Sequence, residues 1–449
     1  MDPSSFLEIL GTSLWGVPML ALLLGTGFLF TIRLKLIQVG SFPRAIYIMA
    51  YRARHLASGD VPGDITPLQA FMTSLAGAVG NGNIAGVATA IASGGPGALF
   101  WMWVSGFLGM ATKYAESYLG VKYRRRYGDG TIGSGPMYYL KEGAGLPILA
   151  SLFAFFLGVR TLISTSIVQT SSIAIAIEQE FGTPQLLTGV TVAFLTWLVI
   201  IGGIKRIGKI AEILSPFMVI LYIAGGVYVI LSNVAALSGV FLTIFRAAFS
   251  PSAAVGGFAG ASVRMAIRYG IARGIYSNEA GTGSAPIAHG AARTLDPRSQ
   301  GLLAMMDVFV DTIIICTITG VVILATGIWT GGETSTALTR GSFETALPGL
   351  GIVVVAASFL FGYSTLISWP YYGEQCFAYL FGSRVKKPFR WTFCIVMITG
   401  TVLHVETVWS IADILNGLGT IPNLIGILFL SGVVIRGSGE SPGNGIRHP

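Results

Sequence analysis

Long apolar stretches dominate this chain, and short polar or charged segments separate them. Each stretch is close to the roughly 20 residues that a helix needs to cross a hydrocarbon core of about 30 Å. The pattern predicts an all-α polytopic membrane protein. Its eleven membrane-spanning helices, numbered here as spans one to eleven, cover residues 13–33, 66–92, 98–119, 149–177, 186–203, 208–231, 256–287, 300–327, 348–379, 389–404 and 408–434.

Positive charge is concentrated in alternate connections between the spans. Basic residues cluster within 33–54, 122–141, 205–209, 293–298 and 384–390, whereas the opposite connections carry chiefly Arg246 and Arg340. Loops rich in Lys and Arg stay in the cytoplasm. We therefore expect a multi-pass protein of the cell membrane with its N-terminus outside and its C-terminus inside. Asp2 and Glu8 precede the first apolar stretch without a basic region, which favours a retained span over a cleaved signal peptide.

Composition agrees with this class. The chain is 53% hydrophobic and 11% charged, and its mean hydropathy of +0.72 excludes a soluble or disordered protein. The basic loops account for the net charge of +8. We therefore expect the lipid bilayer, and no nucleic acid, as a partner. The three cysteines have no paired spacing and the four histidines do not cluster, so no transition-metal site is expected.

Glycine-rich segments interrupt two of the predicted spans. Span two reads SLAGAVGNGNIAGVA over 74–88, and span seven reads RYGIARGIYSNEAGTGSAPI over 268–287. Glycine lets a helix unwind at low steric cost. Unwound backbone is tolerated at membrane depth only where it is buried in protein or lines a wet cavity. Paired breaks of this kind indicate the binding site of a secondary transporter.

The two broken spans divide the chain into comparable halves. Spans two to six occupy 66–231, and spans seven to eleven occupy 256–434 in the opposite orientation. This arrangement predicts a five-plus-five inverted repeat after one extra N-terminal span. We expect one transmembrane domain over 1–435, followed by a flexible Gly/Pro/Ser-rich cytoplasmic tail over 436–449.

The break in span two carries the strongest chemical signal. Unwinding at Gly80-Asn81-Gly82-Asn83 leaves carbonyls without helical partners on one side. It leaves free N–H groups on the other side, where the helix is expected to restart at Asn83 and Ile84. Free N–H groups attract a carboxylate, and orphan carbonyls suit a hard cation such as sodium. The segment therefore predicts a salt-coupled site for an amino acid.

The break in span seven adds a charged side chain. Gly270, Gly274, Gly281 and Gly283 surround a carboxylate, Glu279, that must be paired or near water at this depth. Its expected partners within the same segment are Arg264, Arg268 and Arg273. A gate or functional ion pair and a purely structural role both stay open for Glu279.

Several polar residues in other spans could reach these breaks. Ser364 and Thr365 in span nine could give hydroxyl oxygens to sodium or bond back to their own helix. Gln169 in span four could contact substrate or a neighbouring helix. Default structural or gating roles are expected for Asp307, Asp311, Asp413 and Asn416, and a local ion pair is expected for Lys113 with Glu116.

Three segments resemble the sodium-coupled alanine-or-glycine:cation symporter family. They are GNGNIAGVATAIASGGPGALFWMWVSGFLGMATKYAE, SNEAGTGSAPIAH and IADILNGLGTIPNLIGILFLSGVV, within a similarity that runs over nearly the whole chain. The resemblance implies the fold of the leucine transporter with one extra N-terminal span. It also implies import of alanine and glycine, driven by co-transported sodium.

The resemblance also implies which residues form the site. The substrate carboxylate would meet the N–H groups around Asn81, Gly82 and Asn83. Its amino group would meet carbonyls near Tyr276 with Gln169 and Thr365, and Tyr276 and Trp369 would close the pocket. The sodium ligands would be the carbonyls of Ala76, Val79 and Phe361 and the hydroxyls of Ser364 and Thr365. The chain departs from the family pattern at Asn81, Tyr276, Thr282 and Arg264, so substrate range or ion stoichiometry could differ.

Other functional hypotheses stay open. A proton-coupled transporter needs a titratable group at the breaks, and Glu279 is the only nearby candidate because 73–92 and 363–370 offer none. A non-transporting amino-acid sensor would bind without flux. A channel would show a repeated filter loop and an enzyme a convergent cluster of reactive side chains. Neither pattern is present, so no enzymatic activity is expected.

Overall fold

The computed structural model of the chain describes residues 14–52, 61–249, 263–402 and 405–439. Some predicted features lie outside the described residues. They are residues 1–13, with Asp2, Glu8 and the start of span one, residues 53–54 of the first basic connection, residues 256–262 of span seven, residues 403–404 of span ten and residues 440–449 of the tail.

Every predicted span contains helix within the described ranges, and spans two and seven are interrupted. The helices of spans one to six are Val17–Arg33; Pro67–Ala78, Asn81–Asn83 and Ala85–Gly94; Gly97–Lys122; Pro147–Arg160, Thr161–Thr165 and Ser166–Phe181; Gln185–Ile200; and Gly203–Ser232. Those of spans seven to eleven are Val263–Asn278 and Ala285–Gly290; Pro297–Val308, Phe309–Cys316 and Thr317–Thr326; Gly351–Phe381; Lys386–Thr399; and Val405–Phe429.

Five of the described helices are long and apolar enough to cross a membrane. They are Pro147–Phe181, Gly203–Ser232, Pro297–Thr326, Gly351–Phe381 and Ile411–Phe429. Span two makes a sixth if its two halves, which are bent by 56°, count as one. Helical length and apolar composition thus agree with a polytopic membrane protein.

Short elements connect the spans. The helical ones are Ile37–Gly40, Phe42–Tyr47, Ile48–Arg52, Pro136–Tyr138, Tyr139–Gly143, Val234–Ala236, Leu237–Phe249, Ile328–Thr330, Ser335–Ala346, Ser383–Val385 and Ser431–Gly439. Strands Arg125–Arg126 and Ile132–Gly133 form an antiparallel hairpin, with Arg125 opposite Gly133 and Arg126 opposite Ile132.

The start of the predicted flexible tail is helical. Residues 436–439 belong to the helix Ser431–Gly439. The Ser438 hydroxyl lies 2.8 Å from that of Tyr114 in span three, and Arg298 donates to the Gly437 carbonyl. Contacts with spans three and eight therefore order this segment.

The basic connections meet at one end of the bundle, called here the basic face. Arg124 donates to the carbonyls of Pro62, at 2.9 Å, and of Thr294. Lys386 donates to Thr131 of the hairpin at 2.7 Å. The residues that alternate along the sequence as basic loops are thus neighbours in space, as the positive-inside pattern requires.

Span two begins with a strong cap and breaks where its glycines begin. Thr66 and Gln69 form a capping box with Pro67 in the first turn. The helix ends at Ala78, Gly80 is extended with φ −142° and ψ −163°, and a single 3₁₀ turn precedes the restart at Ala85. The predicted restart at Asn83 was therefore two residues early, because both Asn83 and Ile84 belong to the turn.

Span seven breaks later than its glycines suggest. Gly270 and Gly274 lie within the regular helix Val263–Asn278, where a Cβ on Gly270 would stand 2.2 Å from the Ala98 carbonyl of span three. These two glycines serve close helix packing. Unwinding is confined to 279–284, where Gly281 and Gly283 have φ of 89° and 82° and supply the left-handed backbone that other residues adopt at a cost.

Two spans contain π-helical segments at the level of the breaks. Thr161–Thr165 interrupts span four, and Phe309–Cys316 interrupts span eight. π-helical turns often occur at functional sites because they re-aim the side chains beside them.

Candidate functional site

A small buried pocket lies where the break of span two faces spans four, seven and nine. Its volume is about 30 Å³, room for about two water molecules. Five of the seven residues predicted to bind substrate line it: Gly82, Gln169, Tyr276, Thr365 and Trp369. In this contracted conformation the pocket admits an amino acid only if the surrounding helices move apart.

The turn of span two leaves two backbone amides free, and one of them belongs to Gly82, which lines the pocket. Asn83 N donates to the Gly80 carbonyl at 3.1 Å, and Ile84 N donates to the Asn81 carbonyl at 3.3 Å. Gly80 N donates to Asn83 Oδ1 at 3.0 Å. Among the amides of residues 80–84, those of Asn81 and Gly82 are left without a protein acceptor. The predicted free amides at Asn83 and Ile84 were wrong because the 3₁₀ turn uses them.

The two asparagine side chains turn away from the pocket. Asn81 donates to Gln169 Oε1 at 3.0 Å and accepts from the Ser358 hydroxyl at 2.6 Å. Asn83 donates to the carboxylate of Asp311 at 2.7 Å. Both side chains therefore hold the unwound segment against spans four, eight and nine. Span two contributes backbone atoms, not these side chains, to the lining of the pocket.

The five residues predicted to hold sodium come together on the other side of the break. The Ser364 hydroxyl lies 2.8 Å from the Phe361 carbonyl, 3.0 Å from that of Ala76 and 3.4 Å from that of Val79. The Thr365 hydroxyl lies 3.0 Å from the same Phe361 carbonyl. Three carbonyl and two hydroxyl oxygens thus converge, and hard monovalent cations bind through such oxygens.

Aromatic side chains close the pocket. The Trp369 indole donates to the Gly77 carbonyl at 3.1 Å, an orphan of the broken helix. A Cβ built on Gly82 would stand 3.4 Å from the Tyr276 ring, so the span-two backbone packs directly against this ring. These contacts therefore restrict the substrate to one with a small side chain.

Glu279 pairs with an arginine that the sequence analysis did not single out. It lies 3.6 Å from Arg160 of span four, and both side chains are buried. The predicted partner Arg268 is exposed, with its guanidinium 5.7 Å from the Tyr269 ring centroid. Expecting Arg268 was wrong because Glu279 has a left-handed backbone, φ 57°, which follows the end of the helix that carries Arg268. The one basic residue inside the apolar stretch 149–177 was the available signal.

Lys113 and Glu116 do not form the predicted local pair. Lys113 Nζ donates to the Asn278 carbonyl at 2.8 Å, at the end of the first half of span seven. Glu116 accepts from the amides of Gly281 at 3.3 Å and Gly283 at 3.1 Å, before the second half. The two charges instead satisfy the orphan backbone groups on both sides of the break.

Asp307 and Asp311 are tied to the breaks by hydrogen bonds that the sequence did not reveal. Asp311 accepts from Asn83 of span two and from Ser277 of span seven, the latter at 2.9 Å. Asp307 accepts from Ser74 at 2.5 Å and lies 3.0 Å from His289. Each carboxylate of span eight thus joins span two to span seven.

The arrangement defines a class of protein. Two broken helices are held face to face in an all-helical membrane bundle, and their unsatisfied backbone groups surround one buried pocket. Irregular backbone that lines a cavity at the interface of two repeats is the architecture of a secondary transporter.

Sequence comparison gives the family. The profile described as "Sodium:alanine symporter family" matches residues 2–439, and the chain belongs to this family. It is 45% identical over 443 residues to the sodium/alanine symporter AgcS of Methanococcus maripaludis, with 97% of this chain and 96% of that protein covered. It is 38% identical over 430 residues to the probable sodium/glutamine symporter GlnT of Bacillus subtilis, with 94% and 87% covered.

Structural comparison agrees on the fold. The structure of MhsT in complex with L-phenylalanine matches with a TM-score of 0.52 at 15% identity, covering 82% of this chain and 87% of that chain. The predicted fold and family are therefore confirmed, and the family is one of transporters, not of enzymes.

Proposed function

We propose that this protein is a sodium-coupled symporter that imports small neutral amino acids, alanine and glycine, by alternating access. The observation that carries the proposal is the pairing of two adjacent sites at one break. Two free amides lie in the turn of span two whose Gly82 lines the pocket, and five oxygens converge about Ser364 behind it.

In this proposal the substrate carboxylate accepts from the amides of Asn81 and Gly82. Gln169 joins them through its amide nitrogen, because its oxygen already accepts from Asn81. The ammonium group meets carbonyl oxygens near Tyr276 and the Thr365 hydroxyl. Trp369 and Tyr276 bound the side chain, and the contracted pocket favours alanine over the larger glutamine.

Sodium binds between Ala76, Val79, Phe361, Ser364 and Thr365 and so links the first half of span two to span nine. An inward sodium ion gains about 2.3 kcal/mol per 100 mV and about 1.4 kcal/mol for a tenfold gradient. One ion could therefore support roughly 500-fold accumulation of a zwitterion. The positive charge of the basic face supports a cytoplasmic position for this face and an N-terminus outside.

The test is uptake of radiolabelled alanine into proteoliposomes that contain the purified full chain. An inward sodium gradient should drive accumulation, and replacement of sodium by choline should abolish it. Gly82→Val should lose uptake because its side chain enters the Tyr276 contact. Gly86→Val is the matched control, since a Cβ on Gly86 meets nothing within 4 Å. Flux without sodium, or binding without flux, contradicts the proposal.

Proton coupling is the second candidate because Asp311 brings a buried carboxylate to both breaks. Residues 73–92 of span two and 363–370 of span nine hold no carboxylate. Asp311 reaches the breaks from span eight. An inward pH gradient without sodium should drive no alanine uptake if sodium is the coupling ion. Uptake that follows the pH gradient and is lost in Asp311→Asn would favour protons.

A further inference from the structure

A buried ion pair in the pocket wall has its charged atoms farther apart than a direct hydrogen bond allows. Arg160 and Glu279 both line the pocket, and their side chains are 7% and 8% exposed. Their nearest charged atoms are 3.6 Å apart, beyond the usual length of an N–H···O hydrogen bond. Two charges are thus buried without the direct hydrogen bond that normally offsets their desolvation.

The Arg160 guanidinium keeps one donor nitrogen that no described residue accepts from. Arg160 Nη1 is buried and has no hydrogen-bond partner among the described residues. The guanidinium carbon lies over the Trp369 ring, 4.4 Å from its centroid, within the range of a cation–π interaction. Glu279 receives a hydrogen bond from Ser284 at 2.7 Å on Oε2, while Oε1 faces Arg160. A buried unsatisfied donor beside a cavity calls for a partner that the protein does not supply.

The missing partner is defined by charge. A fixed guanidinium selects a carboxylate, and the carboxylate of Glu279 beside it selects an ammonium group. A zwitterionic amino acid carries both groups on one carbon. It can therefore bond to both members of the pair at once without adding net charge.

The pair lies between the span-two amides and the basic face. Arg160 precedes Gln169 in a span that starts at the basic face, and Trp369 follows Thr365 in a span that ends there. Glu279 follows Tyr276 in the same sense. In each of these three spans, the residue at the ion pair therefore lies nearer to the basic loops than the residue proposed for the substrate site.

We propose that Arg160 and Glu279 form a second binding site for the zwitterionic amino acid, occupied after the span-two site as the substrate moves toward the basic face. This inference rests on the proposed function for the identity of the substrate. The substrate carboxylate moves to Arg160 and its ammonium group to Glu279, so both charges stay paired while the pair separates. Separation without substrate leaves two unpaired buried charges, which links opening on this side to the presence of substrate.

The experiment compares sodium-dependent alanine binding with alanine exchange across proteoliposomes. The variant Arg160→Met with Glu279→Gln removes both charges and leaves no unpaired buried ion. Binding should stay within about threefold of the unaltered chain, whereas exchange should slow by about tenfold or more, the loss expected for one charge-assisted contact. Arg160→Lys, which keeps a positive charge, should recover part of the exchange rate.

A second buried pair provides the matched control. Arg390 bonds Glu374 at 2.6 Å and 3.0 Å in the same bundle, away from the pocket. Arg390→Met with Glu374→Gln should lower thermal stability but keep the ratio of exchange to binding. Unchanged or faster exchange in the Arg160 and Glu279 variant overturns the second site, as does an equal loss of binding and exchange in protein of normal stability. No sodium-dependent alanine binding by the unaltered chain refutes the proposed function itself, and with it this inference.

Discussion

Ser364→Ala tests the sodium site most directly. The Ser364 hydroxyl lies within 3.4 Å of three carbonyls, those of Ala76, Val79 and Phe361. It has one proton and can serve one carbonyl at a time. A cation at this point would serve all three and also accept the lone pairs of the hydroxyl.

The expected effect follows from what each state loses. With sodium bound, the variant loses a contact to a charge, about 1.5–3 kcal/mol, and without sodium it loses a neutral hydrogen bond of about 1 kcal/mol. The net cost to sodium binding is about 0.5–2 kcal/mol, or roughly 2–30-fold in the half-saturating sodium concentration. The half-saturating alanine concentration in saturating sodium should change little.

The assay is the sodium dependence of alanine uptake into proteoliposomes at fixed alanine. Ser368→Ala is the matched control, since this buried hydroxyl, one turn further along span nine, has no hydrogen-bond partner among the described residues. An unchanged sodium dependence in Ser364→Ala would refute the assignment. An equal shift in both variants would show that span nine responds to any lost hydroxyl.

Three further perturbations have defined outcomes. Gly80→Ala places a Cβ 3.0 Å from the Thr365 hydroxyl; uptake assays should show a rise of roughly fivefold in half-saturating sodium, about 1 kcal/mol, which Gly86→Ala should lack. Asp307→Asn leaves buried donors around span eight without their charge partner, and thermal unfolding in detergent should show a loss of about 3 kcal/mol. Burial raises the pKa of the Asp64 carboxyl above its ordinary value of 3.8, despite an opposing backbone hydrogen bond. The folded chain thus holds this proton to higher pH and loses stability as pH rises from 3.8 toward the raised pKa. Asp64→Asn should remove that slope above about pH 4, and an unchanged thermal-midpoint profile would contradict it.

The fold followed largely from patterns that are local in sequence. Apolar length located the helices, and glycine beside asparagine located the break at Gly80. In span seven, the prediction that Gly270 and Gly274 belong to a break was wrong, because these glycines allow close packing of two helices. Their role depends on span three, which no pattern within span seven reveals.

The site depended on contacts between distant segments. The hydroxyls of Ser364 and Thr365 were candidates from the sequence, whereas their carbonyl partners in span two were assigned through the family resemblance, because they lie far away in sequence. Asn83 and Asp311 are separated by 228 residues, and Lys113 reaches a carbonyl 165 residues away. The spacing of Lys113 and Glu116 suggested a pair with each other because helical neighbours are the contacts that a sequence displays.

The π-helical segment Thr161–Thr165 sets which way span four presents its polar residues. Successive residues of an α-helix turn by about 100°, so Arg160 and Gln169, nine positions apart, would face opposite sides of a regular helix. Both line the pocket because a π turn holds an extra residue. Deleting one residue from this segment would rotate Ser166–Phe181 by about 100° and carry Gln169 off the pocket, with the apolar character of the span unchanged. Ligand choice in this scaffold can therefore be rewritten by changing the length of a helix by one residue, without replacing any side chain that touches the ligand.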